Sequence, residues 1–163
     1  TYTCYPGARP QLWALTANND LRLANGLCVS PATAPAAGVQ LVLASCNGSN
    51  AQRWVYGVDP LTPQPAVIAN VAAPRLCIGL QTKTARSMER AVLADCVNSA
   101  DQLWDVAPAR TASGGTLSVF DGALCLDNWG AQMRVGDGLG TYKCYPGAAP
   151  QSFRLTAAGE IQL

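Results

Sequence analysis

Seven cysteines and one Asp-Asn-Trp step are the residues of this 163-residue chain whose types and spacing can do chemistry. Six of the cysteines fall into three pairs of nearly constant separation: Cys28 with Cys46, Cys77 with Cys96, and Cys125 with Cys144. Each pair is followed by a glutamine two residues before an aromatic, as Gln52-Arg53-Trp54, Gln102-Leu103-Trp104 and Gln151-Ser152-Phe153. Burial alone has no need of equal spacing three times over. The pattern therefore predicts three disulfides, each inside one of three equivalent units, and an oxidising compartment. Loops of this length gain about 3 kcal/mol per bridge in the chain-entropy model. Cys4 is the odd seventh cysteine and is expected to be unpaired or to form an intermolecular bond. Asn47-Gly48-Ser49 is a glycosylation sequon, which agrees with a secreted or extracellular location.

Other chemistry finds little material. The chain has no histidine for general-base work, its ten carboxylates show no repeated pair, and no serine stands in a nucleophile-elbow context, so catalysis is not expected. Without histidine or a Cys-x2-Cys cluster, no metal site is expected either, and nothing points to a cofactor. The formal charge of +1, with Lys and Arg scattered, argues against nucleic acid. No apolar run is long enough for a membrane span.

The elements that must position these residues are short strands. Apolar segments are four to seven residues long and are bounded by clusters such as Asn18-Asn19-Asp20 and Asn47-Gly48-Ser49-Asn50, which favours strands joined by turns over helices. The one stretch of helical composition, Thr84 to Ala94, lies between two paired cysteines and reads better as a loop followed by a strand. Trp13-Ala14-Leu15 with Leu21-Arg22-Leu23, and Phe153-Arg154-Leu155 with Ile161-Gln162-Leu163, each read as a hairpin. With 49% apolar and 13% charged residues the chain is not disordered. Stretches rich in Pro, Gly, Ser or Thr, Gly57 to Pro65 and Ala107 to Gly115, separate units rather than domains. The Gln-x-aromatic signature starts at residues 11, 52, 102 and 151, a period in the range of one supersecondary unit.

Three such units, at about 21–56, 67–106 and 117–155, each with an internal cysteine pair and a closing Gln-x-aromatic, resemble the ricin B-type (R-type) lectin domain. The resemblance implies an all-β fold, the β-trefoil: twelve strands in a six-stranded barrel capped by three hairpins, with Trp54, Trp104 and Phe153 in the shared core. It also implies galactose-type sugar binding in shallow pockets, at most one per unit. Each pocket needs a carboxylate that accepts from sugar hydroxyls, an aromatic face that stacks on the pyranose, and an amide.

In the family pattern the Asp stands two residues after the first cysteine, the aromatic two before the second, and an Asn directly before the Gln. The first unit has Ser30, Ala44 and Ala51 at these places, and the second has Gly79, Ala94 and Asp101; both resemble degenerate sites. The third has Asp127 and Tyr142 in register but Pro150 in place of the amide. One partial site is therefore expected, at Asp127 and Tyr142, with Asn128 and Trp129 able to add an amide and a second ring, or with Asp127 only capping a turn. Gln151 is expected to contribute mainly as a structural amide of the repeat.

The fourth copy of the signature raises a question of assembly. Residues 1–13 closely repeat 141–153, and Cys4 aligns with Cys144. Residues 1–20 are then surplus to a trefoil spanning 21–163. They are expected to be the tail of a preceding trefoil in a tandem chain, to contact another protomer, or to fold back on their own domain. Two functions follow: a glycan-binding lectin module with weak affinity multiplied by linked copies, or a structural trefoil block of an extracellular assembly that binds no sugar.

Overall fold

The computed structural model describes residues 14–15, 21–22, 27–56, 66–105, 116–129, 133–145, 147–151, 154–155 and 161–162. Cys4, Trp13, Phe153 and the two separating stretches lie outside these residues.

Three five-residue hairpins dominate the described structure, and their strands carry all six paired cysteines or end beside them. They are β3 (Leu27–Pro31) with β4 (Leu41–Ser45), β7 (Leu76–Leu80) with β8 (Ala91–Asp95), and β10 (Leu124–Asn128) with β11 (Leu139–Lys143). The expected loop and strand replace any helix between Thr84 and Ala94. Period-2 alternation in these strands sends Val29, Leu41, Leu43, Ile78, Leu93 and Leu126 into one common core. Before each hairpin stands a shorter strand: β2 (Leu21–Arg22), β6 (Ile68–Asn70) and β9 (Ser118–Val119), each paired with the first hairpin strand.

Within each hairpin the first cysteine faces residue 44, 94 or 142, and its sulfur reaches the cysteine two places further on. The bridges Cys28–Cys46, Cys77–Cys96 and Cys125–Cys144 form as the spacing predicts, with Cα separations of 5.1, 5.2 and 5.0 Å.

The glutamine of each signature clamps the chain around the second cysteine. Gln52 accepts from the Asn47 amide at 2.9 Å and donates to the Ser45 carbonyl at 3.0 Å. Gln102 does the same with Val97 and Asp95, and Gln151 with Tyr145 and Lys143. All three side chains are buried, so these bonds satisfy polar groups that would otherwise be costly. The tryptophans enter the core as expected: Trp54 in β5 (Trp54–Tyr56) donates its indole N–H to the Val29 carbonyl, and Trp104 to that of Ile78.

The tips of the hairpins join the units in a ring. The unit-1 tip bonds to unit 2 through Gly38 N to Leu93 O and Leu93 N to Val39 O. The unit-2 tip bonds to unit 3 through Met88 N to Thr141 O and Thr141 N to Glu89 O. The unit-3 tip returns to unit 1 through Gly136 N to Leu43 O and Leu43 N to Asp137 O. The turning residue has positive φ each time, 83° at Gly38, 63° at Met88 and 91° at Gly136.

Two hairpins share the seam where chain ends meet. β1 (Ala14–Leu15) pairs with β2, so that β1 to β4 form one four-stranded sheet, as β5 to β8 do. β12 (Arg154–Leu155) pairs with β13 (Ile161–Gln162), which also lies against β1, β2 and β5. The registers are copies: Ala14 with Arg22 and Leu15 with Leu21 recur, 140 residues on, as Arg154 with Gln162 and Leu155 with Ile161. The segment expected to be surplus thus has a strand in the sheet of unit 1, and the duplication extends to the partner strand.

Candidate functional site

On β10 and β11 one face carries Cys125, Asp127, Gly140 and Tyr142, of which Cys125 and Gly140 are buried, Asp127 is half-buried and Tyr142 is exposed. Asp127 is paired across to Gly140, and Tyr142 to Cys125, which makes Asp127 and Tyr142 diagonal neighbours on that face. Diagonal neighbours are within reach of aromatic side chains. The expected pair is therefore brought together.

Asp127 is half-buried, and its Oδ2 accepts from Gln151 Nε2 at 2.8 Å. Gln151 is thus the structural clamp already described and also the group that orients the carboxylate. Burial pushes the Asp127 carboxyl above its ordinary value of 3.8, and the Gln151 hydrogen bond opposes this in part. Trp129 stands on the same side. Its indole lies so closely on Gly140 that a Cβ there would collide with the ring, and its N–H is buried without a hydrogen-bond partner among the described residues. Asn128, by alternation, faces the opposite way and is buried at 3% exposure, so it is separated from the face that holds Asp127.

Tyr145 was not expected at the site. It is exposed, and its ring stacks on that of Tyr142 with centroids 6.2 Å apart. Its place in a Cys-Tyr-Pro-Gly step reads as a turn, and the Gln151 clamp on its amide, with the Ala148 amide donating to its carbonyl, holds that turn so that the ring lies beside Tyr142.

The equivalent places in the other units hold no exposed carboxylate. Ser30 turns its hydroxyl onto the Pro31 carbonyl. In unit 2 the Asp101 carboxylate lies over Gly79, where a Cβ would stand 3.2 Å from its Oδ2. Asp101 is 1% exposed and accepts from the Leu80 amide and the Ser99 hydroxyl. What remains there is an open depression of about 330 Å³ beside Leu80, Lys83, Val92 and Ala94. Asn47 is exposed in its turn, with Oδ1 accepting from the Ser49 amide. Among the described residues no group of three His, Cys, Asp or Glu side chains is arranged to hold a metal.

Residues 1–62 match the family described as the ricin-type beta-trefoil lectin domain. The chain folds as a β-trefoil. Solved structures agree over most of its length. A designed three-fold symmetric protein, ThreeFoil, superposes with a TM-score of 0.69 at 17% identity, covering 87% of this chain and 95% of that one. The C-terminal half of an earthworm R-type lectin, solved in complex with GalNAc, gives 0.56 at 14% identity over 88% of this chain and 95% of that one. The hemolytic lectin CEL-III gives 0.61 at 22% identity over 90% of this chain, which spans 31% of that larger protein. No curated protein matches the trefoil by sequence. The resemblance expected from three cysteine pairs and three Gln-x-aromatic signatures is borne out at the level of fold.

Proposed function

We propose that this trefoil is a secreted carbohydrate-binding module with one working site, in the third unit, for a galactose-type sugar. The observation that carries the reading is the outward-facing Asp127 carboxylate, oriented by Gln151 and flanked on its own face by the Tyr142 ring and the Trp129 indole. Asp127 accepts from two sugar hydroxyls, and Tyr142 stacks on the pyranose. Asn128, being buried on the other face, acts through the backbone of β10 rather than by contact. The ricin-type family match and the lectins among the structural neighbours support the class of function, and three disulfides support an extracellular setting. The Asn47 sequon is accessible for glycosylation. A non-catalytic role agrees with the fold.

The test is titration of the native protein with galactose and N-acetylgalactosamine. Replacing Asp127 with Ala should weaken binding by roughly ten- to a hundredfold, the scale of hydrogen bonds to a charged group. Unchanged affinity in that variant would remove the site from the third unit.

The duplicated seam hairpin favours a second reading, in which trefoils are linked, in tandem or between protomers, through residues 1–20 and Cys4. Light scattering under reducing and non-reducing conditions tests it. Loss of a larger species on changing Cys4 to Ser, or on removing residues 1–16, supports linkage, and a monomer throughout overturns it.

A further inference from the structure

The three units provide internal controls for one another along the line that runs from each candidate site across to the tip of the preceding hairpin. In unit 1 this line reads Ser30, Val42 and then Gly138 of the unit-3 tip. In unit 2 it reads Gly79, Val92 and then Gln40 of the unit-1 tip. In unit 3 it reads Asp127, Gly140 and then Arg90 of the unit-2 tip. Only the third line has a charge at either end. It is also the only one with glycine rather than valine in the middle, where the Trp129 indole and the Glu89 backbone carbonyl fill the space a side chain would take.

Arg90 is held in place by the interior of its own loop. Glu89, 4% exposed, accepts from the Thr82 amide at 2.7 Å, the Thr82 hydroxyl at 2.8 Å and the Arg86 guanidinium at 3.2 Å. The Glu89 carbonyl in turn accepts from the Thr141 amide of unit 3 at 2.9 Å. Arg86 is thereby committed to Glu89, while the exposed Arg90 side chain forms no ion pair among the described residues. Strands lie about 4.8 Å apart, so Arg90 and Asp127 stand about 10 Å apart at the backbone, with the indole between them.

We infer that the third-unit site selects an acidic sugar, one whose hydroxyls meet Asp127 while a carboxylate or sulfate substituent meets Arg90 across Trp129. The inference rests on the sugar-binding reading above and adds the class of ligand. An arginine fork matches a carboxylate or sulfate in bidentate geometry, whereas a neutral sugar leaves it solvated and gains nothing from it. The separation also keeps the anion away from the Asp127 carboxylate, which would repel it.

Four probes test this by calorimetry on the native protein: methyl galactoside, its 3-sulfate, its 6-sulfate, and methyl galacturonate. At low salt at least one anionic probe should bind about tenfold more tightly than the neutral one, the scale of a charge-assisted pair. That advantage should shrink at 0.5 M salt through screening. Which anionic probe leads distinguishes carboxylate from sulfate. Arg90→Gln should abolish the difference between anionic and neutral probes, and Arg90→Lys should restore part of it. Trp129→Ala, which removes the ring between the two charges without crowding the Glu89 backbone carbonyl that also lies against Gly140, should weaken every probe; its melting temperature reports whether it folds. Equal binding of neutral and anionic probes, or an anionic advantage that survives Arg90→Gln, overturns the inference while leaving the sugar site standing. Failure of all four probes to bind overturns both.

Discussion

A carboxyl that is half-buried and held by a single amide has a pH signature. Burial raises the Asp127 pKa above 3.8 in the folded protein. The ionised form therefore costs stability at neutral pH, and that cost is relieved as pH falls through the raised folded value. Sugar hydroxyls need the ionised form, so affinity should decline across the same window, at a higher pH than an ordinary Asp would give. Titrating affinity against pH checks this, and Asp127→Asn should flatten the profile at the cost of weak binding throughout. A second residue, Met88, carries strain with no return from its side chain, which is 60% exposed and has φ of 63° where Gly38 and Gly136 serve the other units. Met88→Gly should stabilise the fold by about 1 kcal/mol, set against the left-handed penalty for a side chain, and raise the melting temperature by about 2–4 °C. Asp127 and Tyr142 were legible in the sequence because their distance from a cysteine is fixed within one hairpin. Arg90 and Tyr145 were not: Arg90 comes from a different unit, and Tyr145 depends on a glutamine clamp folding a turn back.

Among the elements, the loop of residues 81–90 shows how one buried group sets a whole tip. Burial by itself raises the Glu89 pKa, but the hydrogen bonds from the Thr82 hydroxyl and amide and from Arg86, with the Arg86 charge, together outweigh it and leave it below 4.5. The stability this confers is present above that ordinary value and is lost as pH falls through the lowered one. Glu89→Ala should cost about 1–3 kcal/mol, since it removes the charged acceptor of three hydrogen bonds that shape the loop. Chemical denaturation measures the loss, and faster amide exchange at Met88 and Thr141 would locate it at the junction with unit 3. The bridges belong to this scale too. Removing Cys77–Cys96, whose ends are separated by 19 in sequence, should cost about 3 kcal/mol. The hairpins were readable because cysteine spacing and alternating apolar residues agree. The Thr84 to Ala94 stretch misleads by composition, and the buried Glu89 with its three donors explains why a loop wins there.

For the molecule as a whole, the decisive feature is the pair of equivalent hairpins at the seam. The repeat itself was plain in the sequence, as was the fold it implied. The two seam hairpins were legible as well, from Ala14-Leu15 with Leu21-Arg22 and Arg154-Leu155 with Ile161-Gln162; which of them closes the barrel was not, because both offer the same apolar pattern to the same neighbours. If either hairpin can close the barrel, chains 21–163 and 1–152 should both melt cooperatively within a few degrees of the intact protein. A chain of 24–152, which lacks both, should unfold by several kcal/mol more than the two single deletions add up to, a non-additivity expected of groups that share one role. Additive losses would show that the hairpins do separate work.

The ring of hairpin tips sets a rule of counting. Each tip hands its backbone to the next unit, and the third hands its own back to the first, so the circle is full at three. A solenoid of open-ended repeats can lengthen by one unit at a time, but a closed circle has no berth for a fourth. A chain built from these units can grow only by whole turns of the circle. The 140 residues that separate Ala14 from Arg154 are the length of one such turn, and the second hairpin is where the next would begin.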